Sequence, residues 1–129
     1  MIALLAALVL ATQAEAIDCD EAMTQSDMNM CALRDFEAAD AQLNRQWALT
    51  AARMKALDEE ILQDDQPGYF ETLLAAQRAW LQFRDQHCRS ESFLARGGSM
   101  QPMLHAGCKA YVTEQRIQQL VHLAGEPAL

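Results

Sequence analysis

The chain has 129 residues, 51% of them hydrophobic, and carries 18 acidic against 10 basic side chains, which gives a formal net charge of -8 at pH 7. This balance argues against binding to nucleic acid or anionic lipid, because both ligands recruit surfaces rich in lysine and arginine. Two interpretations remain, a surface charged for solubility, which is the commoner reason, or a surface that attracts a basic protein partner.

The amino terminus has the pattern of an export signal. The first ten residues, MIALLAALVL, are wholly apolar, and Ala14 and Ala16 follow in an A-x-A arrangement that is typical of a signal-peptide cleavage site. The run is shorter than the roughly twenty apolar residues that a membrane span requires, so we expect no stable membrane anchor. We predict a signal peptide at 1–16, a single domain at 17–129, and a periplasmic or secreted location after cleavage near Ala16.

The four cysteines of this small exported chain predict two disulfides, because bridges supply stability that a small core cannot. Three pairings are possible. Proximity in the sequence favours Cys19 with Cys31 and Cys88 with Cys108. Each bridge would then close a loop short enough to contribute on the order of 3 kcal/mol.

Glycine and proline concentrate at two places, 66–69 and 96–102, and divide the chain into three long segments. Each segment repeats its apolar residues with helical spacing, and none alternates over a length that would favour a strand. The predicted fold class is therefore all-α, a small antiparallel bundle of about three long helices stapled by two disulfides.

The bounds of the helices follow from their end signals. The first helix opens at Thr24, which resembles a capping box together with Asp27, and runs to about Glu60. A break is expected at 58–65, because acidic residues there lie at the unfavourable end of the helix dipole.

The second and third helices flank the glycine pair. The second helix follows Gly68 and ends at about Ser90 or Leu94. The third begins after the turn at 97–98, where Ser99 is the expected N-cap.

The second helix directs two polar residues, Gln77 and Arg84, toward its own apolar stripe. A guanidinium facing a core must find partners, or its desolvation costs several kcal/mol. Asp35 and Asp40 flank the stripe of the first helix, and either could meet Arg84, with Asn44 and Gln77 completing a buried polar layer. We interpret this layer as a structural device that fixes helix register, because no nucleophile or second acid of suitable spacing accompanies it.

Two other kinds of chemistry are weighed and set aside. His87 with Cys88 and His105 with Cys108 could bind zinc, but both cysteines would have to escape oxidation outside the cytoplasm. The serines within 90–99 lie near these histidines but lack any activating frame. We therefore predict a protein that is not an enzyme, with no catalytic residue, no metal and no cofactor.

Residues 89–104, RSESFLARGGSMQPML, lie between Cys88 and Cys108 and form the region of greatest interest for recognition. A disulfide-closed loop loses little entropy on docking, so it suits insertion into a partner's cleft. The alternative is a plain connection between helices whose apolar residues pack on the bundle. The predicted partner-binding residues are Arg89, Phe93, Leu94, Arg96, Ser99 and Met100.

Five motifs in order resemble the LprI lysozyme-inhibitor family. They are C-x4-TQ-x2-MN-x-CA at 19–32, F-x3-D-x2-LN at 36–44, QRAWLQFRDQHC at 77–88, GGSMQPM at 97–103 and C-x4-T-x2-R at 108–116. The resemblance covers about residues 18–122. It implies an all-helical, disulfide-stapled exported domain of a family in which some members inhibit lysozyme and most have no assigned activity.

The resemblance and the charge together give a functional hypothesis. The chain would be a non-catalytic exported protein that inhibits a basic lysozyme-like muramidase, with its acidic surface steering association and residues 89–104 occluding the substrate cleft. The alternative is a periplasmic envelope or secretion-associated interaction module that inhibits nothing. No lipobox cysteine supports the lipid anchoring that some members of the family carry.

Overall fold

The computed structural model describes residues 16–60 and 64–125, and it folds them into three helices. They are α1 (Gln25–Glu60), α2 (Tyr69–Ser92) and α3 (Gln101–Leu123), with a short 3-10 turn, η1 (Phe93–Ala95), that extends α2. The described residues contain no strand, so the predicted all-α bundle is confirmed. The predicted signal peptide, apart from Ala16, lies outside the described residues.

The helices run up, down and up. Near the start of α1, Asn29 Nδ2 donates to the carbonyl of Ser99, 2.9 Å away. Further along, Thr50 Oγ1 donates to the carbonyl of Leu120 at 2.9 Å. These two contacts show that α1 and α3 run parallel in register. The contacts of α1 with α2 run the other way, from Asp58 with Tyr69 to Asp40 with Arg84, so α2 is antiparallel to both.

The start of α1 is set by Thr24, as predicted. Its Oγ1 accepts from the backbone N–H of Asp27 at 3.1 Å, and its carbonyl accepts from the N–H of Met28 at 3.0 Å. The side chain thereby satisfies one of the backbone donors that a helix start leaves without a partner. α1 is described to Glu60, and part of the predicted break at 58–65 lies outside the described residues, at 61–63.

The amino terminus of α2 is capped by a residue of α1. The Asp58 carboxylate accepts from the N–H of Tyr69 at 2.6 Å and from the N–H of Phe70 at 3.1 Å. An acidic side chain that is unfavourable at the end of its own helix therefore lies at the positive end of the next helix dipole. Gly68 is packed against this carboxylate, since an added Cβ would lie 3.2 Å from Asp58 Oδ1.

Ser99 does not cap α3, and the prediction that it would is wrong by one position. Met100 is the N-cap residue, and no side chain caps the helix there. The turn before α3 is one residue longer than predicted. Within it, Gly97 adopts a left-handed φ of 78° and redirects the chain. Pro102 then lies within the first turn of α3, where a missing N–H costs nothing.

The core lies between all three helices. Its buried residues are Leu43, Met54, Leu73, Ile117 and Leu120, and partly buried residues pack around them: Trp47, Leu57, Phe70, Trp80 and Val121. α3 packs against both α1 and α2, whereas α1 and α2 meet less extensively. None of the helices within 16–60 and 64–125 combines the length and apolar character needed to cross a membrane.

Both predicted disulfides are confirmed. Cys19 is bonded to Cys31 and Cys88 is bonded to Cys108, with sequence separations of 12 and 20 residues. Both bridges lie at the same end of the bundle, where α1 and α3 begin and α2 ends. The guanidinium of Arg34 also holds the amino-terminal segment there, since Nη1 donates to the carbonyl of Ile17 at 2.8 Å.

Candidate functional site

The end of the bundle that holds the disulfides carries an exposed tip, residues 93–100. The predicted loop of residues 89–104 is shorter than expected, because α2 continues through 92 and α3 begins at 101. The tip therefore consists of η1 and a five-residue turn. Cys88 and Cys108 brace it from below, on α2 and α3.

Side-chain hydrogen bonds hold the tip in one shape. Gln101 Oε1 accepts from the N–H of Gly97 at 2.9 Å, and its Nε2 donates to Ser92 Oγ at 3.4 Å. Ser92 is buried and its Oγ donates in turn to the carbonyl of Arg89 at 2.7 Å. The turn is thus fixed from both helices, so little conformational entropy is left to lose on binding.

The structure places the six predicted partner-binding residues together at this end, and all are exposed: Arg89, Phe93, Leu94, Arg96, Ser99 and Met100. Leu94 stands out with 85% of its surface accessible, an unusual exposure for leucine. The guanidinium carbon of Arg96 lies 4.6 Å from the centre of the Phe93 ring. That stacking holds the charge of Arg96 beside the apolar side chains of the tip.

An apolar strip of α2 leads up to the tip. Phe83 is 57% exposed and stacks on the imidazole of His87, with 5.2 Å between ring centres. His87 Nε2 lies 3.5 Å from a carboxylate oxygen of Glu91, one turn further on. Leu94 follows three residues after Glu91, in η1. The sequence analysis missed Phe83, although its spacing of four from His87 was a usable signal.

A shallow groove of about 620 Å³ lies beside the tip, between the end of α2 and the start of α3. Burial lowers the pKa of His105, which lines this groove, and the charges of Lys109 and Arg89 lower it further. A neutral imidazole is therefore favoured there at neutral pH, available as a hydrogen-bond donor and acceptor.

Arg84 lies at the centre of the bundle and contacts all three helices. Nη1 donates to Asp40 Oδ1 at 3.1 Å and to Thr113 Oγ1 at 3.3 Å, and Nε donates to Asp85 Oδ1 at 3.0 Å. Its side chain is only 8% exposed. The carboxylate of α1 that meets Arg84 is therefore Asp40, one of the two alternatives left open by the sequence.

The other residues of the predicted polar layer are placed differently. Asp35 and Asn44 are exposed, and neither contacts Arg84 through a hydrogen bond in the described residues. Gln77 is buried, but it makes its contact with Arg116 rather than with Arg84. The predicted polar layer thus loses Asp35 and Asn44, and it gains the guanidinium of Arg116 as the partner of Gln77.

Arg116 of α3 is the second buried cation, with 8% of its surface accessible. Nε donates to Gln77 Oε1 and Nη1 donates to Gln119 Oε1, both at 2.9 Å. Burial lowers its pKa. The sequence analysis missed Arg116, although it lies three residues after Thr113 and four before Leu120, both on the apolar stripe of α3.

The two cysteines of the zinc ligand set considered above are joined to each other in one disulfide. Donor atoms of His87, Glu91 and Cys108 lie within 4.8 Å of one another. The sulfur of Cys108 is bonded to Cys88, however, so it is not a thiolate in the oxidised protein. This group offers two exposed ligands at most.

Comparison with known proteins agrees with the motifs. The family described as "Lysozyme inhibitor LprI" matches residues 18–120. An uncharacterized protein of Rhizobium meliloti (strain 1021) is 46% identical over 108 residues, which are 82% of this chain and 78% of that protein. No solved structure matches the chain. The match over nearly all of the described residues, with both disulfides in place, shows that the chain belongs to the LprI family.

Proposed function

We propose that this protein is an exported, non-catalytic inhibitor of a basic lysozyme-like muramidase, and that the tip is the part that enters the enzyme's substrate cleft. Membership of a family described as lysozyme inhibitors carries the proposal at the level of partner class. The two disulfides support a place outside the cytoplasm, where such an enzyme acts.

The shape and stiffness of the tip support its role in binding. Leu94 offers an exposed apolar anchor, and the turn that follows it contains two glycines, Gly97 and Gly98, and so is narrow. Rigid, preorganised surfaces with a central apolar anchor bind tightly, because few side chains must be ordered on association.

The distribution of charge also supports a complex in which the tip enters the substrate cleft. Arg96 is the single charged residue in the sequence of the tip, although the whole chain has a formal charge of -8. Glycosidases of the lysozyme type place two carboxylic side chains on either side of the bond they cleave. A guanidinium at the tip suits those carboxylates, and the acidic remainder of the protein attracts the basic enzyme from a distance.

A turbidity assay of peptidoglycan lysis by a basic lysozyme tests the proposal. The oxidised protein is expected to inhibit lysis at stoichiometric excess, more strongly at low than at moderate salt. The double variant Leu94→Ala, Arg96→Ala should require at least a tenfold higher concentration for the same inhibition, since it removes both anchors.

A matched control uses Leu49→Ala with Arg53→Ala, an exposed leucine and arginine on α1 far from the tip. This control should inhibit as the unaltered protein does. If the unaltered protein fails to inhibit at either salt concentration, the proposal is wrong, and the alternative of an interaction module without inhibitory activity takes its place. Equal loss of inhibition in both double variants would remove the tip from the mechanism.

A further inference from the structure

A second cavity, of about 790 Å³, lies at the opposite end of the bundle from the tip. It is formed by the end of α1, the start of α2 and the end of α3. Most of its wall is apolar, with Met54, Leu57, Pro67, Tyr69, Leu73 and Leu123 among the lining residues. Its volume and its largely apolar wall are those of a pocket for a small organic molecule.

Arg116 lines this apolar cavity. Its guanidinium is more than nine-tenths buried, and Nη2, which carries two donor hydrogens, has no hydrogen-bond partner among the described residues. No ion pair found within 16–60 and 64–125 involves it. Its two hydrogen-bond partners, Gln77 and Gln119, are neutral amides, and the ring of Trp80, whose centre lies 6.0 Å from the guanidinium carbon, carries no charge either.

A buried charge of this kind is costly unless an opposite charge accompanies it. Arg84, the other buried arginine, shows the usual arrangement, with two carboxylates at 3.1 and 3.0 Å. The fold therefore supplies counter-charges to one buried guanidinium and leaves the other, at the wall of a cavity, without one. The missing partner of Arg116 has the chemistry of an anion.

The acidic residues of the cavity narrow the class of anion. Asp58 and Asp64 also line it, but their carboxylates accept from backbone N–H groups of Tyr69, Phe70 and Gln66. They leave the charge of Arg116 unbalanced, and their own charges oppose a ligand that carries several negative groups. One carboxylate on an apolar body satisfies both the guanidinium and the wall.

We propose that this cavity is a binding site for a small amphipathic monocarboxylate with an aliphatic chain, its carboxylate pairing with the guanidinium of Arg116 and its chain lying along the apolar wall. The site is independent of the tip. It assigns a role to the arginine that closes the last of the five family motifs, C-x4-T-x2-R.

Titration calorimetry of the oxidised protein with decanoate, with 1-decanol as a neutral probe of the same chain length, tests the site. Decanoate is expected to bind saturably at one molecule per chain, and decanol at least tenfold more weakly. Arg116→Met keeps most of the side-chain volume and removes the charge, so it should weaken decanoate at least tenfold and leave decanol unchanged.

The control for charge removal is Arg78→Met, an exposed arginine on α2, which should bind decanoate as the unaltered protein does. If Arg116→Met fails to fold, Leu123→Trp, at a half-exposed position of the cavity wall, gives a second test, because the larger side chain should reduce decanoate affinity with Arg116 intact. Absence of saturable decanoate binding up to 1 mM, equal affinity for decanol, or unchanged affinity in Arg116→Met would each overturn the proposal. The lysozyme assay tests the tip, at the other end of the bundle. Failure of the proposed carboxylate site and failure of the proposed inhibition can therefore be told apart.

Discussion

Replacement of Asp58 by alanine should destabilise the protein through a helix that Asp58 does not belong to. Its carboxylate accepts two hydrogen bonds, at 2.6 and 3.1 Å, from the first N–H groups of α2. Loss of a side-chain cap costs about 0.5 to 2 kcal/mol, and loss of a negative charge at a helix amino terminus costs about 0.3 to 1 kcal/mol more. We expect a loss of about 2 kcal/mol, which for about 100 folded residues lowers Tm by roughly 10 °C.

Urea unfolding followed by circular dichroism, with both disulfides intact, measures this loss. Asp58→Asn keeps one acceptor without the charge, so about half of the effect should remain. Glu59→Ala is the control, because Glu59 is the exposed neighbour on the same helix. If Asp58→Ala costs no more than Glu59→Ala, the cap between helices contributes nothing and the reasoning fails.

Two further predictions concern the polar core and the groove. Asp40→Asn and Arg84→Met should each lower the free energy of unfolding, with a coupling energy of about 1 kcal/mol in a double-mutant cycle; strictly additive losses would show that the pair does not interact. The lowered pKa of His105 means that the unfolded chain protonates first on acidification, so stability should fall as the pH drops through about 6.5 toward the lowered pKa. His105→Gln should flatten the dependence of Tm on pH, measured by thermal unfolding between pH 5 and 7.5. An unchanged dependence would show that His105 is not the group responsible.

The sequence predicts those features that depend on one helix or on residues close together along the chain. The start of α1 follows from Thr24, whose acceptor lies within a turn of its target. The burial of Arg84 follows from its place on the apolar stripe of its own helix. The disulfide pairing follows from short separations along the chain, 12 and 20 residues.

Features that depend on how two helices are rotated against each other escape such reasoning. Asp35 and Asp40 flank the same stripe, and the position of α2 alone decides that Asp40 meets Arg84. From the sequence alone, Asp58 is an unfavourable residue at the end of α1. Only the position of α2 shows that its carboxylate caps the start of that helix. The ends of α2 and α3 within 89–104 are predicted to within a few residues, but the hydrogen bonds by which Gln101 ties the turn back onto α2 depend on how the two helices meet.

The position of the two bridges decides how tension would travel through the molecule. A pull applied to the two ends of the described chain would pass from Cys19 to Cys31 and from Cys88 to Cys108 through the sulfurs, and would not follow the backbone between them. Residues 89–107, which include the whole tip, would therefore bear no load. Stretching could separate α1 from the pair formed by α2 and α3, since no covalent link other than the backbone joins α1 to them in the described residues. The tip would then lose the hydrogen bond from Asn29 to Ser99 but keep those that tie Gln101 to Gly97 and Ser92.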